Sequence, residues 1–183
     1  TSARHDVFAK IVGEKYPETF DPEVPKDLVY TGKYRLTDTV KGCPLTVGKL
    51  VLSPTRTYAP VVRAMLQEHR GDIRGMIHCS GGGQTKILHF IDKLHVVKDN
   101  LFETPLLFRI IQRESQTPWR EMYSVFNMGH RMELYVDSEA VADDLIRISK
   151  SFGVDAQVVG RVEAADKASV TITHQNGTFD YYK

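Results

Sequence analysis

The residues best suited to chemistry stand together at His78-Cys79-Ser80-Gly81-Gly82-Gly83. Three consecutive glycines after an apolar, strand-like IRGMIHC let the backbone take φ > 0 and turn successive N–H groups inward. A helix following them adds its positive N-terminal end. Phosphate is the natural guest of such a turn. The same glycines equally make a plain tight turn, because the GxxxxGK[ST] spacing that makes a phosphate loop specific is absent. Lys86, in the first turn of the helix expected next, faces either an anion or solvent.

Ser53-Pro54-Thr55-Arg56-Thr57-Tyr58 is a second candidate. A proline-fixed turn there presents a hydroxyl and a guanidinium at a helix start, which suits a phosphate or carboxylate. Its plain alternative has Thr55 capping the helix and Arg56 in a surface ion pair. In a third stretch, Trp119 to Gly129, Tyr123 and Phe126 read as core, and Asn127 stands where a turn is forming. Glu121 there is either a base or metal ligand, or the partner of an Arg or Lys. The seven histidines include no HxxxH or HxH pair, so no metal site is expected. No GxSxG nucleophile signature occurs, and Cys79 inside an apolar strand reads as a small core residue rather than a thiolate.

These motifs need elements to position them. Ser2 caps a helix expected to run to about Tyr16, where Pro17 ends it. Residues 17–47, with Pro17, Pro22, Pro25 and Pro44, read as a long surface excursion with one or two short strands, pinned by Phe20, Val24, Leu28, Tyr30 and Tyr34. KLVLSPTRTY reads as a short strand-like run ending at Pro54, APVVRAMLQEHR as a helix closed by Gly71, IRGMIHC as a buried strand and TKILHFIDKL as a short helix. TPLLFRIIQRE is an amphipathic helix with Thr104 as its cap, and RMELYV alternates as a strand does. SEAVADDLIRISKSF is a helix capped by Asp137 or Ser138, with Val141, Leu145, Ile148 and Phe152 on one face and Gly153 as its stop. AQVVGRVEA, ASVTITH and Thr178 to Tyr182 form a small β meander, the last two joined by an Asn176-Gly177 turn. Helices and strands mixed without strict βαβ alternation predict an α+β fold, here in a single domain over 1–183.

Composition narrows the partners. The chain has 183 residues, with 24 Lys and Arg against 23 Asp and Glu, a net charge of +1. No bulk charge recruits nucleic acid, so any anion site is local. No run approaches the roughly 18 apolar residues of a membrane span, and the polar TSARHD start is no export signal. A cytoplasmic protein with Cys43 and Cys79 as reduced thiols is expected. Thr1 is not methionine and an amphipathic pattern begins at once with Val7, Phe8, Ile11 and Val12, so the chain reads as cut from something longer.

Taken in order, SPTRTY, GMIHCSGGG, REMYSVFNMG and VVGRVEA resemble the C-terminal domain of the phosphoribosylformylglycinamidine cyclo-ligase, or aminoimidazole ribonucleotide synthetase, family of purine biosynthesis. The family's PTRIY, AHITGGG, EMYRTFNMGIGM and IGEV match Pro54, Thr55, Arg56 and Tyr58; His78 and Gly81 to Gly83; Glu121, Met122, Tyr123, Phe126, Asn127, Gly129 and Met132; and Gly160 and Val162. The resemblance implies a mixed, mostly antiparallel sheet layered with helices. It also implies an absent N-terminal, ATP-binding domain of the same protein, since TSARHDVF is similar to the helix that follows the family's HSNG segment. The implied activity is ATP-dependent closure of the imidazole ring of formylglycinamidine ribonucleotide, by a homodimer when full length, with Mg2+ screening the phosphates. The isolated chain is then expected to be inactive. Ser80, Gly81, Gly82 and Gly83, with Thr55 and Arg56, would hold a phosphate of substrate or nucleotide, and His78 and Asn127 would support or orient the loop in catalysis.

This chain departs from the family at Thr85-Lys86-Ile87-Leu88, where ENIPR is usual, and at Gly129-His130-Arg131-Met132, where GIGM is usual. It is also longer between Tyr16 and Gly48. A second reading is therefore a non-catalytic anion-binding or regulatory domain that kept the loop. A third is another member of the same ATP-binding superfamily, of the selenophosphate or thiamine-phosphate kinase type, which fits the PTR and FNMG segments less well.

Overall fold

The computed structural model describes residues 2–53 and 56–183. In chain order its elements are α1 (Ser2–His5), α2 (Lys10–Lys15), α3 (Val47–Val51), α4 (Ala59–His69), β1 (Ile73–His78), β2 (Leu94–Lys98), α5 (Leu106–Ser115), α6 (Trp119–Val125), β3 (Met132–Val136), α7 (Glu139–Ser151), β4 (Gly160–Ala164), β5 (Ser169–His174) and β6 (Gly177–Tyr182). The class is α+β as expected: helices mix with strands, and β2–β5 is the one parallel pairing beside three antiparallel ones among the described strands. Two compact units divide the chain. One joins the segment before Arg56 to Thr104–Pro118, and the other joins Arg56–Glu103 to Trp119–Lys183.

In the first unit the helix expected over residues 2–16 is broken. Val7 and Phe8 are buried, and the chain turns there and bridges to Tyr34: Tyr34 N–H donates to the Val7 carbonyl at 3.1 Å and Ala9 N–H to the Tyr34 carbonyl at 2.9 Å. Burying two large apolar side chains in a pairing with a distant segment outweighs the weak local preference for helix. Residues 17–47 are held chiefly by Tyr30, whose hydroxyl lies 2.6 Å from Thr19 Oγ1 and whose ring meets those of His5 and Phe20 edge-on. Leu28, expected as another pin, is exposed. The strands expected in this stretch are reduced to isolated bridges, Phe8 with Tyr34 and Thr39 with Thr46.

The strand expected from Lys49 up to Pro54 does not form among its described residues either. Residues 47–51 are the helix α3, because Thr46 turns its Oγ1 to accept from Lys49 N–H, a local cap that overrides the β-branched composition. At α5 the cap position is Pro105 and no side chain caps the helix, so Thr104, which is buried, does not serve as expected. Ile110 and Ile111 are the buried face of α5.

In the second unit, Val61 and Met65 of α4 pack with Leu145 and Ile148 of α7, against Ile73, Leu134 and Val136 from β1 and β3. Each such side chain, when fully buried, contributes roughly 1.5–3 kcal/mol. Of the two residues expected to cap α7, Ser138 does so, accepting from Val141 N–H at 3.3 Å, and Gly153 past the last turn takes φ +68. Phe152, expected on the apolar face, is instead exposed at the helix end. β1 and β3 form an antiparallel pair, and the other four strands form a sheet in the order β4-β2-β5-β6.

The terminal meander is therefore only half present. β5 and β6 make the expected hairpin, with its two-residue loop at Gln175 and Asn176, one residue earlier than expected, and Gly177 already paired with His174, but β2 lies between β4 and β5. The chain leaving β4 turns around the start of β2, where Ala165 N–H donates to the Lys93 carbonyl at 3.0 Å. Gly160 permits this pairing, since a Cβ there would stand 1.8 Å from the Val97 carbonyl oxygen.

Candidate functional site

The glycine loop leaves the end of β1, which is fixed by Cys79 N–H donating to the Arg131 carbonyl beside β3 at 2.8 Å. Gly83 N–H closes a turn onto the Ser80 carbonyl at 3.0 Å, with Gly82 at φ +89 and Gly83 at φ +48. Only glycine adopts such values without strain. At Gly83 there is a second reason: a Cβ would lie 2.6 Å from the Phe126 carbonyl oxygen and 2.8 Å from that of Tyr123, so its absence lets the loop seat against the end of α6. The α-helix expected after the glycines is a single 3-10 segment, Gly83–His89. It carries no long helix dipole to draw an anion.

Lys86 supplies the positive charge instead. Its Nζ donates to Ser80 Oγ at 2.8 Å and to the His78 carbonyl at 3.1 Å, so the cation departing from the family's acid folds back over the loop. His78, Ser80 and Gly81 are exposed around it. Asn127 holds the facing turn: its Oδ1 accepts from Gly129 N–H at 2.9 Å, and Met128 and Gly129 both take positive φ. Gln84, next to the glycines, donates through Nε2 to the Asn127 carbonyl at 2.5 Å. His78, Ser80–Gly83 and Asn127 are thus one assembly.

Arg56 stands apart from it in hydrogen bonding, donating through Nη1 to the Gly153 carbonyl at 2.6 Å, beyond the end of α7. α4 begins at Ala59 with Tyr58 in the cap position, three residues later than a cap at Thr55 requires. Thr55 itself, with Pro54, lies outside the described residues. Glu121 is exposed on α6.

Beneath the loop lies a cluster with no counterpart in the sequence reading. Lys98, at the end of β2 and 1% exposed, donates to Glu133 of β3, 7% exposed, and to the Gln84 carbonyl at 2.6 Å. Glu133 accepts through its other oxygen from Tyr135 Oη at 2.8 Å. Burial, with the Glu133 carboxylate beside it, pushes the Tyr135 hydroxyl far above its ordinary value. His130 accepts the Phe102 backbone N–H on Nε2 at 3.1 Å, which places its proton on Nδ1, and burial lowers its pKa to about 4. Cys79 is packed beside the cluster, and burial, reinforced by Glu133, pushes its thiol up to about 12.

That thiol is accordingly inert. In mildly alkaline buffer a disulfide reagent such as Ellman's is expected to titrate Cys43 in the native protein, and Cys79 only after denaturant is added. Prompt release of two equivalents from native protein would contradict this.

A mixed four-stranded sheet with helices, an antiparallel β1–β3 pair whose β1 leads into a glycine loop, and an Asn turn facing that loop define an α+β domain with a braced, lysine-bearing loop. Residues 35–173 match the family of AIR synthase related protein, C-terminal domain, and the chain belongs to that family. It is 37% identical over 117 residues to the phosphoribosylformylglycinamidine cyclo-ligase of Methanocaldococcus jannaschii, covering 64% of this chain and 33% of that protein. To the enzyme of the same name from Carboxydothermus hydrogenoformans it is 34% identical, covering 78% and 41%. The chain thus spans well under half the length of these relatives. A hydrogenase maturation protein of E. coli overlays with a TM-score of 0.47 at 13% identity, over 75% of this chain and 44% of that one. No helix among the described residues is long and apolar enough to cross a membrane.

Proposed function

We propose that the chain is the C-terminal domain of an ATP-dependent cyclo-ligase that converts formylglycinamidine ribonucleotide to aminoimidazole ribonucleotide in the cytoplasm, together with an N-terminal domain of the same protein and as a homodimer. The observation that carries this is the family match, spanning residues 35–173 and enclosing both the glycine loop and the Asn127 turn. In that reaction the formyl oxygen becomes a leaving group once ATP has phosphorylated it, and attack by the ring nitrogen expels phosphate. The loop's chemistry fits a phosphate: Ser80 Oγ and Lys86 Nζ stand together at an exposed turn with positive φ. His78 and Asn127 shape that turn, and Thr55 and Arg56 offer a second anion contact. Among the described residues no three His, Cys, Asp or Glu side chains gather to hold a metal ion.

Inorganic phosphate is expected to raise the melting temperature of the chain, because a ligand that favours the native state stabilises it. Gly82→Val should abolish the rise, and Arg56→Lys should weaken it while leaving the unliganded melt nearly unchanged. Full phosphate stabilisation in a folded Gly82→Val variant would remove the loop from the site. The isolated chain should release no ADP from ATP and formylglycinamidine ribonucleotide. Turnover dependent on both substrates would overturn the assignment of the nucleotide site to the other domain.

A further inference from the structure

We propose that Lys98 is a positioning residue that sets the conformation of the glycine loop through the Gln84 carbonyl. The inference rests on that loop being the anion site. Lys98 Nζ is enclosed by three acceptors, the Gln84 carbonyl at 2.6 Å, Gln84 Oε1 at 3.3 Å and Glu133. Glu133 is in turn filled by Lys98 and Tyr135. A buried ammonium with its donors spent on protein acceptors has none left for a ligand, so its effect passes through the groups it holds. What it holds is the residue directly after Gly83, by both backbone and side chain.

Gln84 carries that hold across the site. With Oε1 facing Lys98, its Nε2 is directed to the Asn127 carbonyl, so one ammonium on β2 fixes the glycine loop and the Asn127 turn in a single register. Gly81 and Gly82 have no side chains to fix them, and the turn they make is otherwise held by the Ser80–Gly83 hydrogen bond, by Thr85, whose N–H and Oγ1 both donate to the Gly82 carbonyl at 3.0 Å, and by Lys86. A loop of low intrinsic preference is given one shape by a rigid donor beneath it.

The test is amide hydrogen exchange and 15N chemical shifts on the 183-residue chain, with Lys98→Met and Glu133→Met combined so that no buried charge is left alone. The double variant is expected to melt near the wild type but to exchange the Gly83 and Gln84 amides at least about tenfold faster, with shifted Gly81–Gly83 resonances and weakened binding of inorganic phosphate. Unchanged exchange and shifts at these amides in the folded double variant would overturn the proposal. Should that variant not fold, the wild type still decides. Gly83 must be protected to the level of the β1–β3 amides, and exchange at the rate of an open turn would overturn the role of Lys98. If phosphate perturbs no amide of the wild type, the phosphate reading of the loop fails by itself, while the exchange data still judge Lys98.

Discussion

Lys98→Met alone should lower the unfolding free energy by about 3–5 kcal/mol, a large part of the 5–15 kcal/mol that holds a typical domain folded. The reason is the partner left behind. Glu133 is 7% exposed and would lose its buried cation, leaving the Tyr135 hydroxyl and the Cys79 thiol beside it, while the Gln84 carbonyl would lose its donor. Removing both charges should return most of that loss, because two methionines of similar volume need no compensation for buried charge. Chemical denaturation of both single variants and the double variant, taken as a cycle, measures the coupling. A single-variant loss below about 1 kcal/mol would show that the cluster is open to water rather than sealed.

Acidification should destabilise the protein through His130. Its folded pKa of about 4 lies below the ordinary 6.5, so as pH falls the unfolded chain binds this proton first. The stabilisation is fully present above about pH 6.5 and is lost progressively as pH falls toward 4, amounting to roughly 3 kcal/mol across that window. Protonation would also place an N–H on Nε2, where the Phe102 N–H now points. His5 and His174, held low chiefly by burial, add changes of the same sign. His130→Gln keeps an acceptor and removes the titration, so its stability should vary much less between pH 7 and pH 4. An equally steep fall in that variant would assign the acid sensitivity to other groups.

Most elements of the second unit were legible because their signals are local. Ser138 and Gly153 bracket α7, and Asn176-Gly177 marks the β5–β6 hairpin. The first unit was less legible, since Val7 and Phe8 carry a helical spacing yet pair with Tyr34, a partner no local window contains. The glycine loop could be found from three adjacent residues, whereas the cluster beneath it could not. MELYV alternates as a half-exposed strand does, but both faces of β3 are covered: Leu134 and Val136 meet the helices, and Glu133 meets Lys98. The available signal was a lysine closing the apolar run LHVVK and a glutamate opening MELYV, two charges in segments otherwise fit for burial.

Placing β2 between β4 and β5 has a consequence for how the chain reaches this state. His95 faces Glu163 on one side and Ser169 on the other, so β2 has neither neighbour while the chain between them is unmade or unpaired. On a ribosome the LHVVK segment, with both edges open, precedes its partners by dozens of residues, and a strand waiting in that condition is exposed to pairing with other chains. The lysine that ends the segment breaks its apolar run during that interval, as edge charges do, and becomes the brace of the glycine loop once the sheet closes.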